Sequence, residues 1–393
     1  MYGKQLADIR FSQILSNECM VFGSSAKVRE ELEELRRLEA NGASDQARSV
    51  LKRAMEKLSG GTNTVLYDED GVPSVMAEIP AFGREEMPRG VRCGQVHPAF
   101  MLGEKRLRRV YVSKYLNCLV DGRAASLPMA APARIANFDE AVKSIRGKGA
   151  GWMLMPLPLR AAMLLRCLKE GQSISGNTDQ GRDYYRHEEM GVQTECGTVL
   201  TGSGPASWTH NGKPDGIWDL SGNLNEWDSG FRLMNGEIQL MDTAAMMSPD
   251  CDYGQDSHLW QAVDGEGKAV SPGTPGALHF DGHDGTVRLT ARPREQGLGN
   301  CAFSAVTSEA GPAALERMKL LGLYPPSEGL SERLGWRWIH TEGEALPLSG
   351  GAYRITYHSG MFFMGVTKPR DCDYRLSGVR CVYISPEDAQ EVK

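Results

Sequence analysis

The sequence has no excess of positive charge. Its 50 aspartates and glutamates outnumber its 44 lysines and arginines, which gives a formal net charge of -6 at pH 7. Proteins that bind nucleic acid present a basic patch or stripe, and the whole chain lacks that footprint. The one local basic run, Arg106, Arg108 and Arg109, is interpreted as a solvated strand edge. No nucleic-acid partner is therefore expected.

Paired cysteine motifs are also missing. The nine cysteines are scattered between Cys19 and Cys381, with an odd count and no CxxC pair. That distribution argues against a disulfide framework and against a zinc site. Reduced thiols are expected.

Long apolar runs are absent as well. The N-terminus lacks a basic start followed by an apolar stretch, and no window approaches 18 uninterrupted apolar residues. We expect synthesis in the cytoplasm and no membrane insertion, unless the protein leaves the cell as part of a virion. With 393 residues, 41% of them hydrophobic, the chain can bury at least one large core.

Residues 25–58 predict a helical hairpin. Apolar residues recur every three or four positions from Val28 to Leu38 and again from Ala47 to Leu58, with Asn41-Gly42 between the two runs. Residues 1–62 are therefore predicted to form an N-terminal helical segment. Neither run sustains three heptads, which excludes a long coiled coil. Two roles stay open. The segment packs onto the larger domain, or it serves assembly through homo-oligomer formation or virion attachment.

The remaining chain mixes strand and helix patterns. Residues 64–82 predict a hairpin, residues 107–115 a strand, and Asn137 the cap of a helix with Glu140 at its third position. An apolar helix is predicted over 159–168 and a hairpin around Asn235-Gly236. Residues 245–295 predict an irregular insertion and residues 387–393 a tail. The expected class is α+β, with one domain over 63–386.

Three short motifs are weak candidates for chemistry. His279 and His283 lie four apart, but Gly282 and the flanking Asp-Gly pairs predict a loop and argue against a metal site. Trp336-Arg337-Trp338 predicts a core strand with an exposed arginine. Gly202-Ser203-Gly204 has no base partner, so no catalytic residue is assigned.

The most distinctive stretch covers residues 215–227, Asp-Gly-Ile-Trp-Asp-Leu-Ser-Gly-Asn-Leu-Asn-Glu-Trp. Trp218 and Trp227 bracket a Ser-Gly-Asn turn, and the acids Asp219 and Glu226 lie on either side of it. Two interpretations are open. The tryptophans are core anchors around a tight turn, or the acids hold a structural cation.

This stretch resembles the Gly-Leu-Tyr-Asp-Met-Ala-Gly-Asn-Val-Trp-Glu-Trp signature of formylglycine-generating-enzyme-like domains, a large variant of the C-type lectin fold. The resemblance implies a structural calcium held by oxygen ligands, as calcium prefers. Its ligands would be the side chains of Asp219 and Glu226 and the carbonyls of Gly222 and Leu224. Asn225 departs from the family pattern, because an aromatic or small apolar residue usually stands there.

The C-terminal part resembles the same family at two places. Ser349-Gly350-Gly351-Ala352-Tyr353 is similar to the start of the family's closing hairpin, and residues 377–382 are similar to its Gly-Phe-Arg-Cys-Ala end. Oxygen-using members carry two copper-binding cysteines between these places, at positions that correspond to Ile355 and Gly360 here. Neither residue can replace a thiolate that selects Cu(I), so no copper and no oxidoreductase activity are expected.

A second resemblance covers about residues 73–384. Phage and prophage proteins varied by diversity-generating retroelements use this lectin-type fold, and residues 359–372 keep the length and apolar rhythm of their closing hairpin. Such a hairpin needs a buried scaffold, here predicted as Met361, Phe363, Val366 and Val379, alternating with replaceable positions.

The resemblances imply a non-enzymatic protein that binds a ligand or receptor, with a protein or glycan on a cell surface as its partner. The alternatives are a formylglycine-generating-enzyme-like oxidoreductase and a purely structural virion component. Aromatic, charged and hydrogen-bonding residues of the closing segment, residues 349–382, are the predicted binding positions. These are Tyr353, Arg354, Thr356, Tyr357, His358, Thr367, Lys368, Asp371, Asp373, Tyr374 and Arg375.

Overall fold

The computed structural model describes residues 5–194, 196–283, 285–294 and 296–391. Helix and strand each account for 26% of the residues, so the protein belongs to the mixed α+β class. The α-helices of the described chain are α1 Phe11–Val21, α2 Arg29–Ala40, α3 Ser44–Ser59, α4 Phe138–Arg146, α5 Leu157–Lys169, α6 Thr243–Met246 and α7 Pro312–Leu320.

The strands are short and form four sheets within the described residues. They are β1 Asn63–Tyr67, β2 Pro73–Pro80, β3 Met101–Leu102, β4 Lys105–Leu107, β5 Arg109–Ser113, β6 Cys118–Val120, β7 Arg123–Ala125, β8 Trp152–Leu154, β9 Asn225–Trp227, β10 Phe231–Met234, β11 Glu237–Leu240, β12 Gln261–Val263, β13 Ala269–Val270, β14 His279–His283, β15 Thr286–Thr290, β16 Leu298–Ala302, β17 Thr307–Ser308, β18 Trp336–His340, β19 Glu344–Ser349, β20 Met364–Lys368, β21 Ser377–Gly378, β22 Cys381–Tyr383 and β23 Ala389–Glu391.

A five-stranded sheet in the order β1-β2-β5-β22-β8 joins the two ends of the chain. The near-terminal strand β22 lies inside this sheet, antiparallel to both β5 and β8. A 13-stranded sheet contains the order β16-β18-β20-β19-β10-β11-β14-β15-β17, with β9, β12, β13 and β21 attached beside that path. Because β9 pairs with both β19 and β21, the stretch 215–227 ends next to the closing segment.

The N-terminal segment contains one helix more than predicted. Helices α2 and α3 form the predicted hairpin, and α1 packs beside them, a helix that the apolar spacing did not indicate. The apolar faces of α2 and α3 are buried. Their residues Leu35, Leu51 and Met55 share a core with Val75, Tyr115 and Trp208 of the larger predicted domain. The hydrophobic effect therefore holds these helices against the sheets.

A buried ion pair fixes α1 to this core. Lys114 Nζ lies 2.7 Å from Glu18 Oε2, and both side chains are fully buried. The hydroxyl of Tyr115 donates to Glu18 Oε1 over 2.9 Å. Burial lowers the pKa of Lys114, while Glu18 opposes that change. Each charge thus depends on its partner, because an unpaired buried charge is costly.

Several predicted elements are confirmed. Strands β1 and β2 pair antiparallel with Val65 opposite Val75, and the side chain of Asn137 caps α4 by accepting from Glu140 N over 2.9 Å. Helix α5 covers the predicted apolar helix. Strands β10 and β11 turn at Asn235, which has a φ of 51°.

The segment predicted as an irregular insertion contains the short strands β12, β13, β14 and β15. Strands β14 and β15 pair over five residues, and Phe280, Val287 and Leu289 are buried in the main core. The glycines and aspartates of this segment lie mainly in its turns. Their abundance masks the alternation of apolar residues in the strands between the turns. His279 and His283 lie on strand β14, so the predicted loop at this motif was wrong.

The segment predicted as a tail contains a strand. Strand β23 pairs antiparallel with β4, which places Ala389 opposite Leu107. Among the described residues, none of the helices combines the length and the apolar character needed to cross a bilayer.

Candidate functional site

The stretch 215–227 is a buried hub. Trp218 is 2% exposed and Trp227 is fully buried, as the interpretation of core anchors predicted. The turn between them uses left-handed backbone at Gly222 and Asn223, with φ values of 80° and 62°. A Cβ at Gly222 would lie 2.6 Å from the carbonyl oxygen of Asn177, so the turn requires glycine there.

The carboxylate of Glu226 binds two arginines and is not available as a free ligand. Arg380 binds it through two contacts, Nε to Oε2 at 2.8 Å and Nη2 to Oε1 at 2.7 Å. Arg160 reaches Oε2 from α5 and binds Asp228 Oδ1 through Nε at 2.7 Å. Burial raises the pKa of the Glu226 carboxyl, but the two guanidiniums outweigh burial and hold that pKa below its ordinary value.

These contacts join three distant parts of the chain. Arg380 also donates to the carbonyls of Ser113 and Trp218, each at 2.8 Å. Ser349 Oγ donates to Asp228 Oδ2 over 2.5 Å. The hub thus connects α5, the stretch 215–227 and both ends of the closing segment, because charge-assisted bonds of this kind are strong and directional.

The residues of the hub do not fit the expected calcium ion. Both oxygens of Glu226 already accept from arginines, and a divalent cation there would lie beside two positive charges. The described residues contain no group of three or more histidine, cysteine, aspartate or glutamate side chains that could hold a metal. The carbonyls of Gly222 and Leu224 alone would leave calcium far below its usual six to eight oxygen ligands.

Asp219, the other expected ligand, lies in a different environment. Its side chain is 2% exposed, and its Oδ2 atom is buried without a hydrogen-bond partner. Burial raises the pKa of Asp219 to about 7, although Arg380 opposes the change. The carboxyl is therefore partly protonated at neutral pH, which further weakens it as a ligand for a hard cation.

The predicted binding positions of the closing segment differ in exposure. Arg354, Tyr357, Asp371, Asp373 and Arg375 are exposed. Thr356, His358, Thr367, Lys368 and Tyr374 are half-buried. Tyr353 is only 7% exposed and packs in a small core with Leu116 and Leu224, so its side chain belongs to the frame. The predicted scaffold residues Met361, Phe363, Val366 and Val379 are all buried.

Part of the closing segment joins a cluster of surface aromatic rings, which we call the aromatic face. Its members touch one another in a chain of ring contacts and are exposed or half-buried. They are Tyr184, Tyr185, Trp336, Trp338, Tyr357 and His358.

His358 is the centre of the aromatic face. Its ring lies 4.3 Å from that of Trp336, 5.2 Å from that of Trp338 and 3.9 Å from that of Tyr357. Burial lowers the pKa of His358, which favours the neutral form of its ring. Arg333 stacks over Tyr185 at 4.4 Å and adds a cation at the edge. Mutual packing holds the exposed rings in place.

The prediction of which side chains of Trp336-Arg337-Trp338 face the core was wrong. Arg337 is 1% exposed, whereas both tryptophans are half-buried at the surface. The residues of this strand do alternate in burial, but the arginine faces the core and the tryptophans face the surface. Sequence alternation alone does not show which side of such a strand faces solvent.

A second group lies at the other end of the closing segment. Lys368 Nζ lies 4.8 Å from the ring of Tyr374, and Arg134 lies 5.4 Å from the ring of Tyr353. Asn225 donates to the hydroxyl of Tyr374 over 3.3 Å. Burial raises the pKa of Tyr374. Tyr374 is therefore anchored to the hub rather than displayed freely.

A small polar cleft opens beside the aromatic face. It has a volume of about 40 Å³, and its walls include Tyr185 and Arg333 together with hydroxyl and charged groups. The Ser359 hydroxyl, which lines it, is buried without a hydrogen-bond partner. The cleft places unsatisfied hydrogen-bonding capacity next to the rings.

The position that corresponds to the second copper cysteine is sterically closed. A Cβ on Gly360 would lie 2.5 Å from the carbonyl carbon of Leu334 and 2.6 Å from the carbonyl oxygen of Arg333. The backbone path here thus requires glycine.

Comparison of the chain with protein-family models and with curated proteins finds no match.

Proposed function

We propose that this protein is a non-enzymatic binding protein that recognises a ligand or receptor through the aromatic face and the neighbouring exposed positions of the closing segment. The observation that carries the proposal is the aromatic face itself. Six rings stay at the surface although each could bury apolar area in a core. Tyrosine, tryptophan and arginine supply most of the energy of recognition surfaces, because they bury a large area with few rotatable bonds.

The frame behind this face supports the same proposal. Met361, Phe363 and Val366 are buried, while Tyr357 and Asp371 on the same segment are exposed. The hub fixes both ends of the segment through Arg380 and Ser349. A rigid frame that carries replaceable surface positions is what a recognition surface requires.

We also infer that the fold is the C-type-lectin-like fold of the formylglycine-generating-enzyme type, and that the protein belongs to the retroelement-varied class of phage or prophage proteins. The supports are the two motif resemblances and the direct Glu226–Arg380 contact, which joins the residues that carry them. The proposed partner is a protein or glycan on a cell surface. The proposed location of the protein is a phage tail.

Binding of the labelled protein to a panel of bacterial cells tests the proposal. The variant Trp336→Ala/Tyr357→Ala should lose at least roughly 30-fold in affinity for any strain that the parent binds, since hot-spot truncations cost about 2 kcal/mol or more. Met20→Ala is the matched control, because Met20 is 57% exposed on α1 and lies outside the aromatic face. Equal binding by all three proteins would contradict the proposal.

A further inference from the structure

Arg337 is a buried arginine without an acidic partner. It lies in β18 and is 1% exposed. Its Nη1 and Nη2 atoms donate to the carbonyl oxygens of Phe362 and Gly322, and its guanidinium stacks over Phe303 at 4.4 Å. Its Nε atom is buried without a hydrogen-bond partner. Carbonyl oxygens satisfy hydrogen bonds, but they do not neutralise the charge.

The other well-buried arginines are neutralised. Arg160 pairs with Glu226 and Asp228, and Arg380 pairs with Glu226. Arg232 lies 2.9 Å from Glu344 and stacks over Trp260 at 4.4 Å. In the part of the chain that the structure describes, no carboxylate lies within ion-pair distance of Arg337.

Arg337 keeps its charge at neutral pH. Burial lowers the pKa of its guanidinium to about 9, which is still above neutrality. An isolated charge in a protein interior is strongly unfavourable unless a counter-charge accompanies it. The residues that the structure describes supply none at this position.

A cavity lies against this guanidinium. Its volume is about 20 Å³, and Arg337, Arg160 and Ser349 line it together with apolar side chains such as Leu164, Leu321 and Phe362. Arg160 contributes a second unsatisfied donor, because its Nη1 atom is buried without a partner. One water-sized group fills a space of roughly 10–15 Å³, so the cavity accepts a single small species.

We propose that this cavity binds a small inorganic anion of the size of chloride between Arg337 and Arg160. Two guanidiniums with free donors supply the attraction, and the apolar walls exclude larger polar ligands. Glu226 and Asp228 oppose an anion here, but Arg160 and Arg380 neutralise them. The bound anion connects α5 to β18 directly behind Phe362 and Met364, and so stabilises the frame under the aromatic face.

Thermal melts in different sodium salts at constant ionic strength test the proposal. Chloride and bromide should raise the Tm by roughly 2 °C relative to gluconate, and the rise should saturate with concentration, as binding to the native state requires. Gluconate is too large for the cavity. General salt effects do not saturate, so they are distinguishable from binding.

Two variants localise the effect. Arg337→Met should abolish the halide-dependent rise whatever its Tm in gluconate. Arg232→Met is the matched control, since Arg232 is also buried and stacked on a ring but has Glu344 as its partner; it should keep the rise. Should Arg337→Met fail to fold, crystals of the parent soaked in bromide provide the second measurement, with an anomalous peak expected beside the Arg337 guanidinium.

Three results would overturn the proposal. They are a parent Tm that is independent of the halide, a halide response that Arg337→Met retains, and a bromide-soaked crystal without a peak in this cavity. Each would indicate that water alone occupies the space.

Discussion

Removal of the Glu226 carboxylate is the most informative perturbation of the hub. In Glu226→Ala, Arg380 loses two contacts of 2.7 and 2.8 Å, and Arg160 keeps only Asp228. Breaking one buried ion pair by removing a partner costs about 3 to 5 kcal/mol, because it leaves a buried charge uncompensated. Since Glu226 serves two arginines, we expect a loss of at least about 4 kcal/mol in the free energy of unfolding.

The corresponding change in Tm follows from the size of the protein. An unfolding entropy of about 2.1 cal/mol/K per residue, over 393 residues, gives roughly 0.8 kcal/mol/K, so the Tm should fall by about 5 °C. Calorimetry or circular dichroism measures this change. Glu170→Ala is the matched control. Glu170 also binds an arginine, Arg166 at 2.9 Å, but the pair is exposed, and its loss should cost less than about 1 kcal/mol.

The same melts decide between the two interpretations of the stretch 215–227. With arginines as the partners of Glu226, a calcium chelator should leave the parent Tm unchanged while Glu226→Ala lowers it. A chelator effect in the parent that disappears in Glu226→Ala would refute this reasoning and restore the calcium site. A Tm of Glu226→Ala equal to that of the parent would refute the role of the hub.

Three further predictions concern other parts of the molecule. Glu18→Ala should lower the Tm by several degrees, because it leaves Lys114 charged and unpaired in the core; an unchanged Tm would show that α1 is not fixed by this pair. The folded pKa of Asp219 is raised to about 7 from an ordinary value of 3.8, so its stabilising contribution is complete below pH 3.8 and is lost as the pH rises towards 7. Asp219→Asn should therefore raise the Tm at pH 8 and lose this advantage near pH 4, whereas a difference that does not change with pH would contradict the shift. Tyr374→Ala should lower the Tm measurably, since its hydroxyl accepts from Asn225; a parent-like melt would show that Tyr374 is displayed rather than anchored.

Much of the architecture could be predicted from local patterns. Apolar spacing identified α2, α3 and α5, and turn chemistry identified the hairpin at Asn235, because these signals are contained in a few neighbouring residues. Helix α1 was missed since its apolar stripe is short. The hairpin of β14 and β15 was missed because its Gly- and Asp-rich turns dominate the composition of residues 245–295.

The candidate site was predictable only in part. Tyr357 and His358 were singled out for their residue types, and both belong to the aromatic face. Trp336 and Trp338 were assigned to the core, because a sequence does not reveal which side of an inner strand faces solvent. Likewise, Glu226 was singled out as a ligand, yet its partner Arg380 lies 154 residues away, a distance over which sequence spacing carries no signal.

The affinity of Tyr357→Ala for a bacterial strain that the parent binds, measured together with its Tm, tests the proposed binding role most directly. Tyr357 is 43% exposed and contributes a ring to the aromatic face without filling the core. We predict a loss of about 1 to 4 kcal/mol in binding with a Tm within roughly 1 °C of the parent, and near-parent binding for Tyr357→Phe, which keeps the ring. Undiminished binding by Tyr357→Ala would contradict the role of the aromatic face, and a large fall in its Tm would show that the ring supports the fold instead.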